Sequence, residues 1–161
     1  MQIFTSRWNA GNLILGSEAG AVSISLGTPR FSLPFIPIGS IPELMPERKW
    51  MHSPLHLYKP LYLAKLESAG VDRIQRELAR VVKAAPTGKV ALLCWENVLA
   101  PKPGEFCHRR LFADWWLEKT GELIEELTPA HVTKGRIEPA PKPSAKAKPR
   151  REGDQPSLFE C

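Results

Sequence analysis

Apolar positions along the first 128 residues follow two rhythms, one of two residues and one of three to four. Ala21-Val22-Ser23-Ile24-Ser25-Leu26 alternates apolar and small polar side chains, the period of a half-buried strand, and Gly27-Thr28-Pro29-Arg30 stops it. A shorter strand is predicted at Gln2 to Thr5, followed by a turn at Asn9, Gly11 and Asn12. The helical rhythm appears at Leu61 to Ala69 and resumes after Gly70. There Ile74, Leu78, Val81 and Val82 fall on one stripe, and Pro86-Thr87-Gly88 ends the helix. Lys89 to Glu96 is a continuous apolar run with polar ends, as in a central parallel strand covered on both faces. A loop from Ala100 to Glu105 leads to a helix from about Cys107 to Thr120. Leu111, Phe112, Trp115 and Trp116 supply its apolar face, and Gly121 is its expected C-cap. Glu122 to Leu127 reads as a last edge strand, with a helical turn as the alternative. Strands alternating with helices predict an α/β fold: a three-layer, mostly parallel, Rossmann-like sheet with flanking helices.

Residues 31 to 60 break the rhythm. Pro34, Pro37, Pro42, Pro46, Pro54 and Pro60 punctuate them. Each lacks an N–H and restricts its predecessor, so no long helix is expected there. Phe31, Leu33, Phe35, Ile36, Ile38 and Ile41 are nevertheless apolar, which predicts a structured loop lying over the body, of the kind that serves as a lid.

Charge divides the chain further. The formal net charge is +5, yet Lys134 to Asp154 holds seven basic residues against three acids and Glu160 adds one negative charge, so residues 1–133 carry about +2. The division is an α/β domain over 1–130, a basic Pro/Ala/Lys-rich linker over 131–154 expected to be disordered, and a short docking motif over 155–161. A basic tether suits a nucleic-acid neighbourhood; a solvated tail is the plainer alternative. Three cysteines and no secretion signal predict a reducing, cytoplasmic setting. No apolar run reaches the roughly 18–20 residues of a membrane span, so no membrane partner is expected.

The candidate chemistry lies in Cys94-Trp95-Glu96 and Cys107-His108-Arg109-Arg110. Ligands of open α/β sheets gather beyond the carboxyl ends of the strands, where Cys94 and Glu96 are predicted to sit. Cys107 to Arg109 open the next helix, whose dipole favours negative charge and biases a thiol toward thiolate. Glu96, Cys107 and His108 are the expected catalytic residues, with Glu96 as general acid/base or nucleophile. Cys94, Arg109, Arg110 and Arg30 are the expected substrate contacts, the arginines gripping phosphate or carboxylate. Plainer roles stand beside these: Cys94 as core, Glu96 as strand rim, His108 as a packing or capping residue. Zinc is disfavoured, because structural sites pair cysteines two to four residues apart and adjacent Cys-His seldom reach one ion. Cysteine phosphatases need an arginine six places after the cysteine, and those positions are Ala100 and Ala113.

Leu93-Cys94-Trp95-Glu96 ending a strand, then Cys107-His108-Arg109 opening a helix, resembles the uncharacterised DUF488 family. Ser23-Ile24-Ser25 with Pro29-Arg30, and Tyr62 in Leu61-Tyr62-Leu63-Ala64-Lys65-Leu66, look like that family's N-terminal half. The resemblance covers roughly residues 1 to 128; it implies an α/β fold and a shared site, and names no activity or cofactor. Gln155-Pro156-Ser157-Leu158-Phe159 resembles the pentapeptide by which bacterial proteins bind the replication sliding clamp, with Pro156 where leucine is commoner. Gln155, Leu158 and Phe159 would make those contacts, the apolar pair filling a pocket. Together these features lead us to expect an enzyme acting on a nucleotide, nucleoside or nucleic-acid base in a DNA-linked process. The alternative is a non-catalytic nucleotide- or DNA-binding adaptor docked on the clamp.

Overall fold

The computed structural model describes residues 1–101 and 105–133. The chain runs β1 (Gln2–Arg7), α1 (Gly11–Ser17), β2 (Gly20–Ser23), β3 (Gly39–Ser40), α2 (Leu55–Ala69), α3 (Val71–Ala84), β4 (Lys89–Cys94), α4 (His108–Thr120) and β5 (Glu125–Glu126). The described strands form one sheet in the order β3-β2-β4-β1-β5, with every pairing parallel. β4 is central, Val90 opposite Ile3 of β1 and Ala91 opposite Ala21 of β2. Its apolar run is covered on both faces because successive side chains point to opposite sides. Val90 and Leu92 join the cluster containing Tyr62, Leu66, Ile74, Leu78, Phe112 and Trp116 of the three longer helices. Ala91 and Leu93 join Trp8, Ile14 of α1, Ala19, Ala21 and Leu127 on the other face. The three-layer α/β architecture expected from the sequence is the one found.

Three local readings change. Asn9 to Asn12 is not simply a turn: α1 follows, closed by Glu18 in the left-handed conformation (φ 60°), whose N–H reaches the Ile14 and Leu15 carbonyls. Gly11 begins this helix under the Pro34 ring, where a Cβ would lie 2.5 Å from Cγ. The second correction concerns the prolines. α2 starts at Leu55 rather than Leu61, with Pro54 at its N-cap and Pro60 inside it. Tyr58, Tyr62 and Leu66, spaced by four, are all buried. Burying three such side chains, at about 1.5–3 kcal/mol each, outweighs an interior proline's cost of about 3 kcal/mol. Third, the strand from Ala21 is shorter than predicted, although Ile24 N–H still bonds the Leu93 carbonyl at 3.1 Å.

The rest of the proline-rich stretch holds β3 and two short 3-10 turns, Pro42–Leu44 and Arg48–Trp50. Ile41, Leu44 and Trp50 bury themselves against the body. Tyr62 Oη donates to the Leu44 carbonyl at 2.8 Å, and Lys65 Nζ donates to the Met45 carbonyl at 2.6 Å. Gly70 (φ 77°, ψ 150°) occupies a region essentially closed to other residues and lets α2 turn directly into α3. Gly121 caps α4 in the left-handed conformation, as predicted. Glu122 to Leu127 contains the short edge strand β5. Thr133 donates to the Gly16 carbonyl from both N and Oγ1 at 3.0 Å, tying the last described residues to α1. The basic linker from Lys134 and the motif at Gln155, Leu158 and Phe159 lie outside the described residues. Among the described residues, no helix is long and apolar enough to cross a membrane.

Candidate functional site

β1 connects to β2 through α1 on one face of the sheet, and β4 connects to β5 through α4 on the other. Such reversals open a crevice beyond the carboxyl ends of the strands. The residues just after β2 and β4 and at the start of α4 meet there. Cys107 is the N-cap of α4, with extended backbone (φ −129°, ψ 131°), while His108 is the first helical residue. That change of conformation between neighbours turns both side chains toward the end of β4.

The result is a buried cluster. Cys94 Sγ donates to Glu96 Oε2 at 2.8 Å, and Cys107 Sγ donates to the same oxygen at 2.9 Å. Cys94 Sγ also lies 3.4 Å from His108 Nδ1. His108 Nε2 is 2.7 Å from the Ile24 carbonyl. A carbonyl only accepts, so Nε2 carries the proton and, in the neutral ring, Nδ1 presents its lone pair to Cys94. Tyr62 stacks edge-on beneath this imidazole at 5.6 Å. Cys94 and Cys107 are free thiols.

Electrostatics sort the members. Burial pushes the Cys94 thiol well up, helped by Cys107 and Glu96, so it stays protonated. Burial also pushes the Glu96 carboxyl up, but the hydrogen bonds from Cys107 and Cys94 outweigh it, and the group is held below the usual carboxylate range. Burial lowers the His108 imidazole despite its bond to Ile24 and the Glu96 charge. At neutral pH the floor is therefore a carboxylate flanked by a neutral imidazole and at least one thiol.

Cys94, Glu96 and His108 form the floor of a cavity of about 620 Å³, while Cys107 borders a separate depression. Tyr58, Trp95 and Phe106 give the cavity aromatic walls. The Tyr58 and Phe106 rings meet at 4.7 Å, whereas Trp95 is 45% exposed, with Trp8 at 6.3 Å and Phe31 edge-on at 6.5 Å. The proline-rich stretch contributes Pro46, Arg48, Met51 and His52, with Arg48 and His52 exposed at the rim. Such a cavity can hold a flat, partly apolar ligand against an acid–base floor, with Arg48 and Glu105 both among its lining residues.

Of the sequence-predicted site residues, Cys94, Glu96, Cys107 and His108 come together. The arginines require corrections. Arg109 is fully buried and does not face a ligand: Nε and Nη2 hold Glu126 at 3.1 and 2.9 Å, and Nη1 donates to the Glu96 carbonyl at 2.8 Å and to Cys107 Sγ at 3.4 Å. A cation in the first turn works against the helix dipole, and Glu126, braced by Thr5 Oγ1 at 2.8 Å, compensates for it. Arg109 therefore positions Glu96 and Cys107. Arg110 pairs loosely with Asp114 at 3.8 Å and borders a separate depression beside Leu55, Asn97 and Phe106. Arg30 does not end a strand; it is exposed beyond β2, which stops at Ser23, and is not among the residues around the main cavity.

The sequence reading missed Arg48, His52, Tyr58, Phe106 and Glu126. Tyr58 shares the four-residue spacing of Tyr62 and Leu66, and Phe106 adjoins Cys107, so both left a trace; a partner for Arg109 on an edge strand left none. Spacing along the chain disfavours zinc, yet in the fold one ligand atom from each of Cys94, Glu96, Cys107 and His108 lies within 4.8 Å of all the others. No family model, curated protein or solved structure matches this chain.

Proposed function

We propose that this chain is a DUF488-like enzyme acting on a nucleotide, nucleoside or nucleic-acid base. The observation that carries the reading is a half-buried carboxylate, Glu96, on the floor of an aromatic-walled cavity whose rim bears Arg48 and His52. A base would lie against Trp95, Tyr58 and Phe106, and an anionic or hydroxyl-bearing part would face the rim. Glu96 is the proton acceptor, released from its thiol donors as substrate enters. Cys107 and His108 set its orientation and polarity, and Arg109 fixes the backbone carbonyl behind it. The C-terminal Gln155-Pro156-Ser157-Leu158-Phe159 brings this activity to a bacterial sliding clamp, and the basic linker adds salt-dependent affinity for nearby DNA.

A second reading, a nucleotide- or DNA-binding adaptor on the same clamp, is favoured by the way both thiols donate to Glu96 and His108 Nε2 donates to Ile24 within the protein. It keeps the cavity and drops the chemistry. The test is a panel of nucleotides and modified nucleosides incubated with the full chain and analysed for product by mass spectrometry. We expect product, and a drop of about 10²–10⁴-fold on Glu96→Gln with the thermal midpoint little changed. Binding without product supports the adaptor; unchanged turnover by Glu96→Gln sinks the assignment of Glu96.

A further inference from the structure

We propose that Cys94, Cys107, His108 and Glu96 form a centre for a zinc-type divalent ion, with Glu96 the displaceable fourth ligand. Two sulfurs and an imidazole nitrogen suit zinc or cobalt and not magnesium or calcium, which take oxygen ligands. The scale is right. Zinc bonds of about 2.0–2.3 Å set tetrahedral neighbours about 3.3–3.8 Å apart. Cys94 Sγ and His108 Nδ1 are 3.4 Å apart, and the four ligand atoms all lie within 4.8 Å of one another. The contacts of Glu96 Oε2 with the two sulfurs, at 2.8 and 2.9 Å, are shorter because thiol protons bridge them. Exchanging those two protons for one dication, with the protons leaving to solvent, requires the sulfurs and the carboxylate to part by less than about 1 Å.

The surroundings point the same way, independently of the cluster's own spacing. His108 gives its Nε2 proton to the Ile24 carbonyl and turns its lone pair inward, the arrangement of a metal-ligating histidine. Arg109 donates to Cys107 Sγ at 3.4 Å, so a buried guanidinium already faces that sulfur. The ligands stand on the end of the central strand and the start of a helix, both fixed by the core. Cys94, Cys107 and His108 are at most 5% exposed, whereas Glu96 is half-buried and borders the cavity. Glu96 is therefore the ligand that water or a substrate oxygen displaces. A displaced Glu96 would stand beside the ion's open position as a proton acceptor. The proposal concerns the same floor as the proposed function, but metal content is read without substrate, so either can fail alone.

The experiment strips the full-length chain with a chelator, reloads it with Zn²⁺ or Co²⁺ and removes free ion. We expect about one equivalent of zinc per chain, and a cobalt form with thiolate charge-transfer bands and tetrahedral visible bands. Cys94→Ser and Cys107→Ser should retain less than about a tenth of it. Glu96→Gln should keep the ion but release it faster to a competing chelator. A second readout avoids dependence on the folding of the cysteine variants. In a Cys161→Ala background, adding zinc to the stripped chain should release protons into a weakly buffered solution as the ion replaces them on the two buried thiols. A folded, reloaded chain that holds no stoichiometric ion overturns the centre, as does full retention by Cys94→Ser. Loss of the ion from Glu96→Gln as complete as from Cys107→Ser overturns the displaceable role of Glu96.

Discussion

Arg109 shows how a single residue changes meaning when its neighbours are known. Beside Cys107 and His108 in sequence, it reads as an anion clamp. In the fold its side chain has no exposed surface, and it joins α4 to β5 through Glu126 while steadying Glu96 and Cys107. The motif made its importance legible; the partner 17 residues away, which decides its role, was not, because nothing in Glu125-Glu126 marks one carboxylate as paired. Removing one member of a buried pair costs more than the pair contributes, since the other charge is left stranded. Glu126→Ala should therefore lower unfolding free energy by about 3–5 kcal/mol in urea titrations. A loss under about 1 kcal/mol would mean that Arg109 finds other compensation.

At the scale of elements, apolar rhythm revealed what packs and missed what is short. β4, α3 and α4 were legible because Val90 to Leu93, Ile74-Leu78-Val81 and Phe112-Trp115-Trp116 are stripes that the core then buries. α1 is too short to show a stripe, and the start of α2 was hidden by Pro60, whose local cost is overruled by contacts that no local reading contains. The junction of α2 with α4 carries a further consequence. Glu67 accepts from Trp115 Nε1 at 2.9 Å and pairs with Lys119 Nζ at 2.7 Å. The hydrogen bond from Lys119, then that from Trp115, holds its carboxyl below the ordinary 4.5. A lowered carboxyl stabilises the fold above its unfolded value, and that stabilisation is lost as pH falls through the folded value. Glu67→Gln should thus lower the thermal midpoint slightly at pH 7, and the difference should vanish in acid. Because the pair is exposed, the neutral-pH effect is expected to be small. An equal deficit at every pH would assign it to packing.

For the whole molecule, two parts have separate tests. The described residues hold the cavity; residues 134–161 carry most of the net positive charge and the clamp-like pentapeptide. A peptide spanning Arg150 to Cys161 should bind a bacterial sliding clamp, with a Leu158→Ala/Phe159→Ala peptide weaker by at least about tenfold. Equal, weak binding by both would overturn the proposed link to replication without bearing on the proposed role of the cavity. The globular part has its own long-range logic. The hydrogen bond from His108 to Ile24 spans 84 residues, and Thr5 reaches Glu126 across 121. Contacts so distant along the chain close late in folding, after the loops between them have collapsed. The imidazole can therefore hold its working tautomer only once the strands flanking β4 are in place. Chemical shifts of the His108 ring would accordingly serve as a clock for completion of folding, silent in any intermediate that has helices without a finished sheet.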